Sequence, residues 1–572
     1  MSTMPMQLRR EKIIIKAVDM TVAGNLSREL AVPLVAGKLL AQRGFTNAAQ
    51  CDVFFNPQPS HFHDPFLFSD MEKAVDRIVR AIEGRERISI YGDYDVDGIT
   101  ATVILVKSII RLGGTCDFYL PNRLVEGYGM SAEGVRALSQ AGTGLIITVD
   151  CGIHANEEVE LARSLGIDVI VTDHHEPKDP LPGALALLNP KIASCGYPDD
   201  TLAGVGVALK LSHALAKKCN RSDDFWTDHL DLAAVGTTAD IVPLTGENRV
   251  IAKLGFERLR KTSNQGLKSL LIEQDLWGKP LSTREVGFQI APCINAVGRL
   301  GDPRRGVEML LTDDAAAAAR YARELRAANM ERRAIDKAMQ EEAFQWVEEH
   351  WDPERDFAIV IARENWHCGV IGIVASKVVE RYQRPALLFS VNQDFARGSG
   401  RSVPALNLHK ALTECNDLLE NFGGHAAAAG MTILTKNLDG FRARFNDVVK
   451  SRVSIDEMAP RIEADALVGL KECAYPLFDV LRRMEPFGPG NARPLFLCRE
   501  LKNKYSPRIV GDHHLKLMVA ENGAAMDAIG FNLGGRFEEI KKAGAFSMAF
   551  TLDENEWNGR KSLQLKIKGV ET

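Results

Sequence analysis

Apolar and polar positions alternate through Arg87-Ile88-Ser89-Ile90-Tyr91, and the run stops at Gly92. A period of two predicts a buried strand over residues 87–91. Asp93, Asp95 and Asp97 follow at every second position; beyond Gly98, Ile99, Val103, Ile104 and Val106 fall at helical spacing. The stretch reads as strand, acidic loop, helix. The alternation continues to about residue 190, with strands over 117–120, 145–149, 168–172 and 185–188. Helices are predicted over 71–84, 132–141 and 156–165. Such alternation gives an α/β fold, a doubly wound parallel sheet with right-handed crossovers.

The polar clusters fall where those strands end. TVDCG places Asp150 after one strand, and TDHHEP places Asp173, His174 and His175 after the next. DLAAVGTTADIVPL places Asp240 at the end of a further apolar segment. Open α/β sheets bind ligands beyond the carboxyl ends of their strands. Each Asp alone fits a helix cap or a solvated turn equally well. Together, Asp95, Asp97, Asp150, His174 and Asp240 make four carboxylates and one imidazole, which repel strongly unless cations lie between them. Carboxylate-rich shells suit Mg²⁺ or Mn²⁺, and the single histidine favours Mn²⁺, whereas zinc usually takes more nitrogen or sulfur. Shared carboxylates imply two ions, a pairing suited to phosphoryl displacement.

The remaining chain divides by pattern. Residues 1–45 form an N-terminal extension with a helix around 28–43; a proline- and aromatic-rich loop over 53–68 packs on the core of the 46–305 domain. Residues 310–349 contain no Gly or Pro and are rich in Ala, Glu and Arg, which predicts a long connecting helix within 306–352. A smaller α/β domain spans 353–455 and carries ARGSGRS, read as a glycine-flanked turn at Ser399-Gly400-Arg401, and FGGHAAAAG. Short alternating runs after about residue 460 predict a β-barrel over 456–572. Residues 481–520 hold eight Lys and Arg against three Asp and Glu, interleaved with Phe487, Phe496 and Tyr505. That mixture suits a single-strand groove, with charge for phosphates and rings for bases. A solvated barrel whose aromatics are core is the other reading. If the barrel only grips the strand, a chain cut near residue 460 should still cleave.

Composition narrows the classes. A length of 572 residues implies three or four domains, and a net charge of −5 excludes general basic coating of nucleic acid. The ten cysteines include no C-x-x-C, so neither zinc knuckles nor a disulfide framework is expected, and a reducing cytoplasm is. No apolar run approaches membrane-spanning length, so no membrane association is expected.

GDYDVDG, TVDCG, TDHHEP and TADIVP resemble the four signature motifs of the DHH phosphoesterase superfamily. NAVGRLGDP, GSGRS and FGGHAAAAGMT are similar to the interlobe segment and DHH-associated domain of its single-strand-specific exonucleases, a resemblance spanning nearly the whole chain. It implies a DHH domain, a DHH-associated domain and an OB-like barrel. It also implies 5′→3′ degradation of single-stranded DNA to 5′-mononucleotides, in recombination and repair. By position, Asp95, Asp97, Asp150, His174 and Asp240 would hold metal, with Asp150 bridging. His175 and Asp93 would face phosphate or support the ligands, and Asp173 would orient an imidazole. Arg123, Arg299, Ser399, Arg401 and His425 would bind substrate. Single-strand DNA-binding protein and a recombination helicase are the partners implied. A small-substrate phosphodiesterase would not need the basic β segment, and a non-catalytic DNA-binding scaffold would have lost ligands.

Overall fold

The computed structural model describes residues 12–572, apart from 122–125, 127–128, 460, 512 and 558. It divides into two compact units: 17–329 with 472–494, and 330–471 with 495–572 and the N-terminal segment to residue 16.

The first unit is built on a five-stranded, all-parallel sheet. Its spatial order is Thr115–Tyr119, Arg87–Gly92, Thr143–Val149, Asp168–Thr172, Ala186–Leu188. The first strand in sequence therefore lies between the second and third, and the order reverses there. Crossovers leave from opposite sides at such a reversal, opening a crevice between the carboxyl ends of the two strands. Near-continuous apolar runs such as Leu145–Val149 mark strands covered on both faces. Val96–Arg111 is buried along most of its length and packs against Gly204–Lys218 and Leu230–Ala239. The aromatic loop does pack on the core, since Phe62 and Phe68 are both buried.

The second unit holds two larger sheets and a two-stranded one. One has the order Leu419–Gly424, Ala428–Leu434, Phe395–Arg401, Ala386–Asn392, Ile359–Glu364, with only the last pair parallel. The other winds Phe496–Asn503, Phe546–Trp557, Arg560–Glu571, Ala524–Gly530 and His514–Glu521 into a closed barrel. Lys502↔Ala520 and Asn503↔Val519 make the closure. Lys12–Ile15 pairs in parallel with Arg461–Ala464.

The expected fold class is present, with local differences. The helix expected around 28–43 is two helices, Met20–Glu29 and Leu34–Gln42. Pro33 supplies no N–H and keeps Val32 out of helical backbone. The long helix is Ala315–His350, and the boundary between the units falls within it. Thr312-Asp313-Asp314 separates it from Arg304–Leu311, and the Asp314 carboxylate accepts from Ala316 N at 2.9 Å. Ser399-Gly400-Arg401 is no turn but the end of strand Phe395–Arg401. Its glycines make room for packing: a Cβ on Gly398 would lie 2.4 Å from the Phe389 ring, and one on Gly400 2.4 Å from Leu387. Phe496 is fully buried against Phe550 in the barrel core, so it is no stacking platform, while Tyr505 is exposed. Among the described residues no helix is long and apolar enough to cross a membrane.

Candidate metal centre

Three strands of the parallel sheet end in register, Gly92 beside Val149 and Val149 beside Thr172. Each is extended by one hydrogen bond: Asp93 N to Val149 O (3.3 Å), Asp150 N to Thr172 O (3.1 Å) and Asp173 N to Leu188 O (3.0 Å). The ladder thus lines up Asp93, Asp150 and Asp173 across the rim, at the point where strand order reverses. Asp150 sits at φ +58°, a left-handed conformation that Asp tolerates better than most residues. Gly204 lies against it, for a Cβ there would be 2.7 Å from the Asp150 Cβ.

Asp95 caps the helix Val96–Arg111, its Oδ1 accepting from Asp97 N (2.9 Å) and Gly98 N (3.1 Å). Besides capping, the carboxylate lies with those of Asp93 and Asp150, ligand atoms within 4.8 Å of one another. Asp97 accepts from Gly204 N (2.7 Å) and Val205 N (2.8 Å), which seats the N-terminus of Gly204–Lys218 on the rim. Asp240 follows the helix Leu230–Ala239 rather than a strand. It meets Asp97 and His174 in a second cluster within the same 4.8 Å.

His174 joins the groups. Its Nε2 lies 3.1 Å from Asp150 Oδ1, 3.6 Å from Asp240 Oδ2 and 3.8 Å from Asp97 Oδ2. That nitrogen is buried and makes no hydrogen bond among the described residues. Asp173, by contrast, is saturated. It accepts from Ile153 N (2.9 Å), His174 N (2.7 Å), His175 N (3.1 Å) and His175 Nδ1 (2.7 Å). It fixes the His175 ring. Asp93 and His175, both assigned from sequence to phosphate or to support, each stand in a group that could hold an ion, Asp93 with Asp95 and Asp150 and His175 with Asp150 and His174.

The electrostatics separate the two kinds of acid. Burial, then repulsion from Asp240 and Asp95, holds Asp97 well above the ordinary carboxylate range. Burial, then repulsion from Asp97, Asp95 and Asp93, does the same to Asp150. Burial is the largest single influence on Asp173, but the hydrogen bond and charge of His175 together with the backbone donors Ile153 N and His175 N outweigh it, and the pKa falls. Burial lowers His174, leaving a neutral imidazole suited to ligation. Burial is the largest single influence on His175, but the hydrogen bond to Asp173 and the charges of Asp173, Asp240 and Asp93 together outweigh it, and the pKa rises. Buried, mutually repelling oxygens around an orphaned imidazole nitrogen fit divalent cations.

The remaining candidates divide between the units. Arg299 is half-buried on Ala291–Leu300, one turn beyond Asn295, whose Oδ1 accepts from Val96 N at 3.2 Å. A Cβ on Gly298 would lie 2.9 Å from Tyr94 O, so that helix abuts the acidic loop. Arg123 lies outside the described residues. In the second unit, Ser399 and Arg401 share one strand face and hydrogen-bond at 3.1 Å. Both lie over Gly372, where a Cβ would be 2.9 Å from each, at the start of Ile371–Tyr382. His425 is exposed in the hairpin beside Ala428, which pairs with Arg401.

Sequence reasoning missed residues 472–494, which belong to the metal-bearing unit although they lie inside the C-terminal segment. Pro489 O accepts from Leu244 N (2.8 Å), four residues past Asp240, and Phe487 O accepts from Thr283 Oγ1 (2.6 Å). The buried Arg249 guanidinium donates to Phe54 O, Pro486 O and Glu485 O (2.8, 3.4 and 3.2 Å). Burial brings its pKa down to about 9. A cut near residue 460 therefore also removes residues 472–494 of the unit that carries the acidic rim.

This fold and rim define a DHH-type phosphoesterase. The DHH family N-terminal domain model matches residues 87–237, the DHHA1 domain 356–451 and the RecJ OB domain 464–569. The chain is 39% identical to the single-stranded-DNA-specific exonuclease RecJ of Bacillus subtilis, over 97% of this chain and 70% of that protein. It is 37% identical to RecJ of Escherichia coli, over 98% and 99%. The structure of RecJ from Thermus thermophilus in complex with Mn²⁺ superimposes with a TM-score of 0.85 at 30% identity, covering 99% of this chain and 80% of that one. The chain belongs to the RecJ family of single-stranded-DNA-specific exonucleases.

Proposed function

We infer that this chain is a metal-dependent exonuclease that degrades single-stranded DNA 5′→3′ and releases 5′-mononucleotides. The observation that carries this reading is the buried His174 Nε2 among the carboxylates of Asp97, Asp150 and Asp240. Asp95, Asp97, Asp150, His174 and Asp240 would hold two Mn²⁺ or Mg²⁺ ions, with Asp93 on the Asp95 side. When bound, such ions supply a water acidic enough to attack at neutral pH and neutralise charge on the scissile phosphate. Asp173 holds the His175 ring with its Nδ1 proton engaged, leaving Nε2 to face a phosphate oxygen. Arg299 is carried by a helix that abuts the acidic loop and would steady charge gathering on the phosphate.

Ser399 and Arg401 offer a hydroxyl and a guanidinium over a glycine-opened helix start, chemistry suited to a terminal 5′-phosphate. His425 stands at the same sheet end, and Arg123 is assigned to substrate on sequence grounds. The barrel, with exposed Lys502, Lys504, Tyr505 and Arg508, would hold single-stranded DNA. Cytoplasmic repair, with single-strand DNA-binding protein and a recombination helicase as partners, is the setting this reading implies. The test is cleavage of end-labelled single-strand and duplex DNA in Mn²⁺ or Mg²⁺. Mononucleotides released from the 5′ end of single strands alone are expected. Internal cuts, or equal attack on duplex, would overturn the reading.

A further inference from the structure

One cavity of the first unit, about 560 Å³, is lined by four cations, Lys253, Arg260, Lys261 and Arg482. All four lie in the compact unit 17–329 with 472–494, but none of the rim carboxylates is in this wall among the described residues. Nor, among those residues, does any of the four have a carboxylate oxygen within 4.0 Å. Two acids share the wall, Glu257 and Glu485, and Glu485 is drawn off by Arg493 at 3.1 Å. The lining therefore carries a positive excess in a chain whose net charge is −5.

The wall is fixed without a ligand. Lys253 Nζ donates to Glu485 O (2.8 Å) and Arg260 Nε to Gly278 O (3.0 Å), neutral acceptors that leave both charges uncompensated. Arg249, one turn before Lys253 on the helix Gly246–Leu259, holds Glu485 O and Pro486 O. Ser282 is tied by its N–H (2.9 Å) and hydroxyl (2.6 Å) to Glu285. Groups already in place bind with little ordering cost. Burial, then repulsion from Arg249, lowers the Lys253 pKa, and an anion in the cavity would relieve that. The same wall is partly apolar: Phe256 and Pro486 are buried, Leu281 is half-buried and Pro280 exposed. Unpaired cations beside apolar surface suit an organic phosphate, and small-ligand pockets run from about 300 to 1,000 Å³.

We propose that this cavity binds a nucleoside 5′-monophosphate, its phosphate among Lys253, Arg260, Lys261 and Arg482 and its base against Phe256, Leu281 and Pro486. The choice of nucleotide rests on the exonuclease reading, in which every turnover releases such a compound. The anion site itself does not depend on that reading. Lys261 and Arg482 are exposed and make no side-chain hydrogen bond among the described residues, so their substitution is compatible with folding.

The test is binding of dAMP to the full chain without divalent ions, followed by calorimetry. Wild type should bind, and Lys261→Ala combined with Arg482→Ala should weaken binding on the order of tenfold or more, as for a lost charge-assisted contact. Inorganic phosphate should bind more weakly than dAMP, and deoxyadenosine more weakly still. No binding of dAMP would overturn the proposal, as expected if these cations meet an acidic protein partner instead. So would binding that the double variant leaves unchanged and Arg401→Ala abolishes, which would put the nucleotide with Ser399 and Arg401. Phosphate bound as tightly as dAMP would overturn the nucleotide assignment. Because no step is a cleavage, the two readings fail separately. Binding lost in the double variant, in a chain that leaves single strands uncut, would refute the exonuclease and leave this site standing.

Discussion

Two sites in the first unit bury charge, and they do it in opposite ways. Lys210 and Glu247, each 1% exposed, are fully partnered. Lys210 Nζ donates to Glu247 Oε1 (2.9 Å) and His63 O (2.5 Å); His63 N donates to the same Oε1 (2.9 Å), and the Tyr197 hydroxyl to Oε2. The metal rim gathers Asp93, Asp95, Asp97, Asp150 and Asp240 around one neutral imidazole. There the close approaches of Asp97, Asp150 and Asp240 run to histidine nitrogens rather than to a lysine. Burial of charge is common to both places. What marks the functional site is the source of the balancing cation, which a side chain supplies at Lys210 and which the rim leaves to solution.

The sharpest break in this comparison comes from Asp150→Asn, which keeps the side chain's shape and its tolerance of positive φ. Losing the shared carboxylate should cost several kcal/mol of transition-state stabilisation, about a thousandfold or more in single-turnover cleavage, with the fold intact by circular dichroism. Near-wild-type cleavage in saturating Mn²⁺ would mean that Asp150 does not serve both sides.

Lys210→Met should do the reverse. Removing one member of a buried pair strands the other, at a cost of about 3–5 kcal/mol in denaturant-melt stability. Mn²⁺ affinity should stay unchanged wherever the variant is folded. A variant that lost metal affinity but not stability would erase the distinction between the two sites.

The smallest effect is a pH dependence. Asp97 and Asp150 are raised in the ion-free fold, so the protonated form is the one that folding favours. The stability they contribute is present in full below their ordinary pKa, about 4, and is lost as pH rises through the raised values. The ion-free melting temperature of Asp150→Asn should therefore exceed that of wild type by a margin that widens from pH 5 to pH 8. Saturating Mn²⁺ should remove or reverse the margin. A margin constant with pH would show that repulsion at the rim is not what burial has trapped.

The rim was legible because its chemistry follows from local pattern. An apolar strand run, alternating before Gly92 and near-continuous before Asp150 and Asp173, fixes where the acidic side chain lands once parallel strands stop in register. Asp240 was legible only as the end of an apolar segment, since a buried helix and a buried strand share that signature. Ser399-Gly400-Arg401 misled because glycine signals turns, whereas here it clears space for Phe389 and Leu387. Phe496 looked like a stacking ring because alternation along a strand does not say which face is inside. Docking of Glu485–Asn491 beside the Asp240 loop had no local signal at all. It depends on carbonyl groups meeting Leu244, Arg249 and Thr283, some 200 residues away in the chain.

The central claim is that the carboxylates and His174 form a two-ion centre, and Mn²⁺ titration of the ion-free chain by calorimetry tests it without reference to turnover. Two ions should bind per chain near neutral pH. Protons should be released, because raised carboxylates must ionise to take metal, and the heat should depend on the buffer accordingly. Asp150→Asn should weaken both sites together. Failure of the wild-type chain to bind Mn²⁺, or two sites unchanged in that variant, would contradict the account.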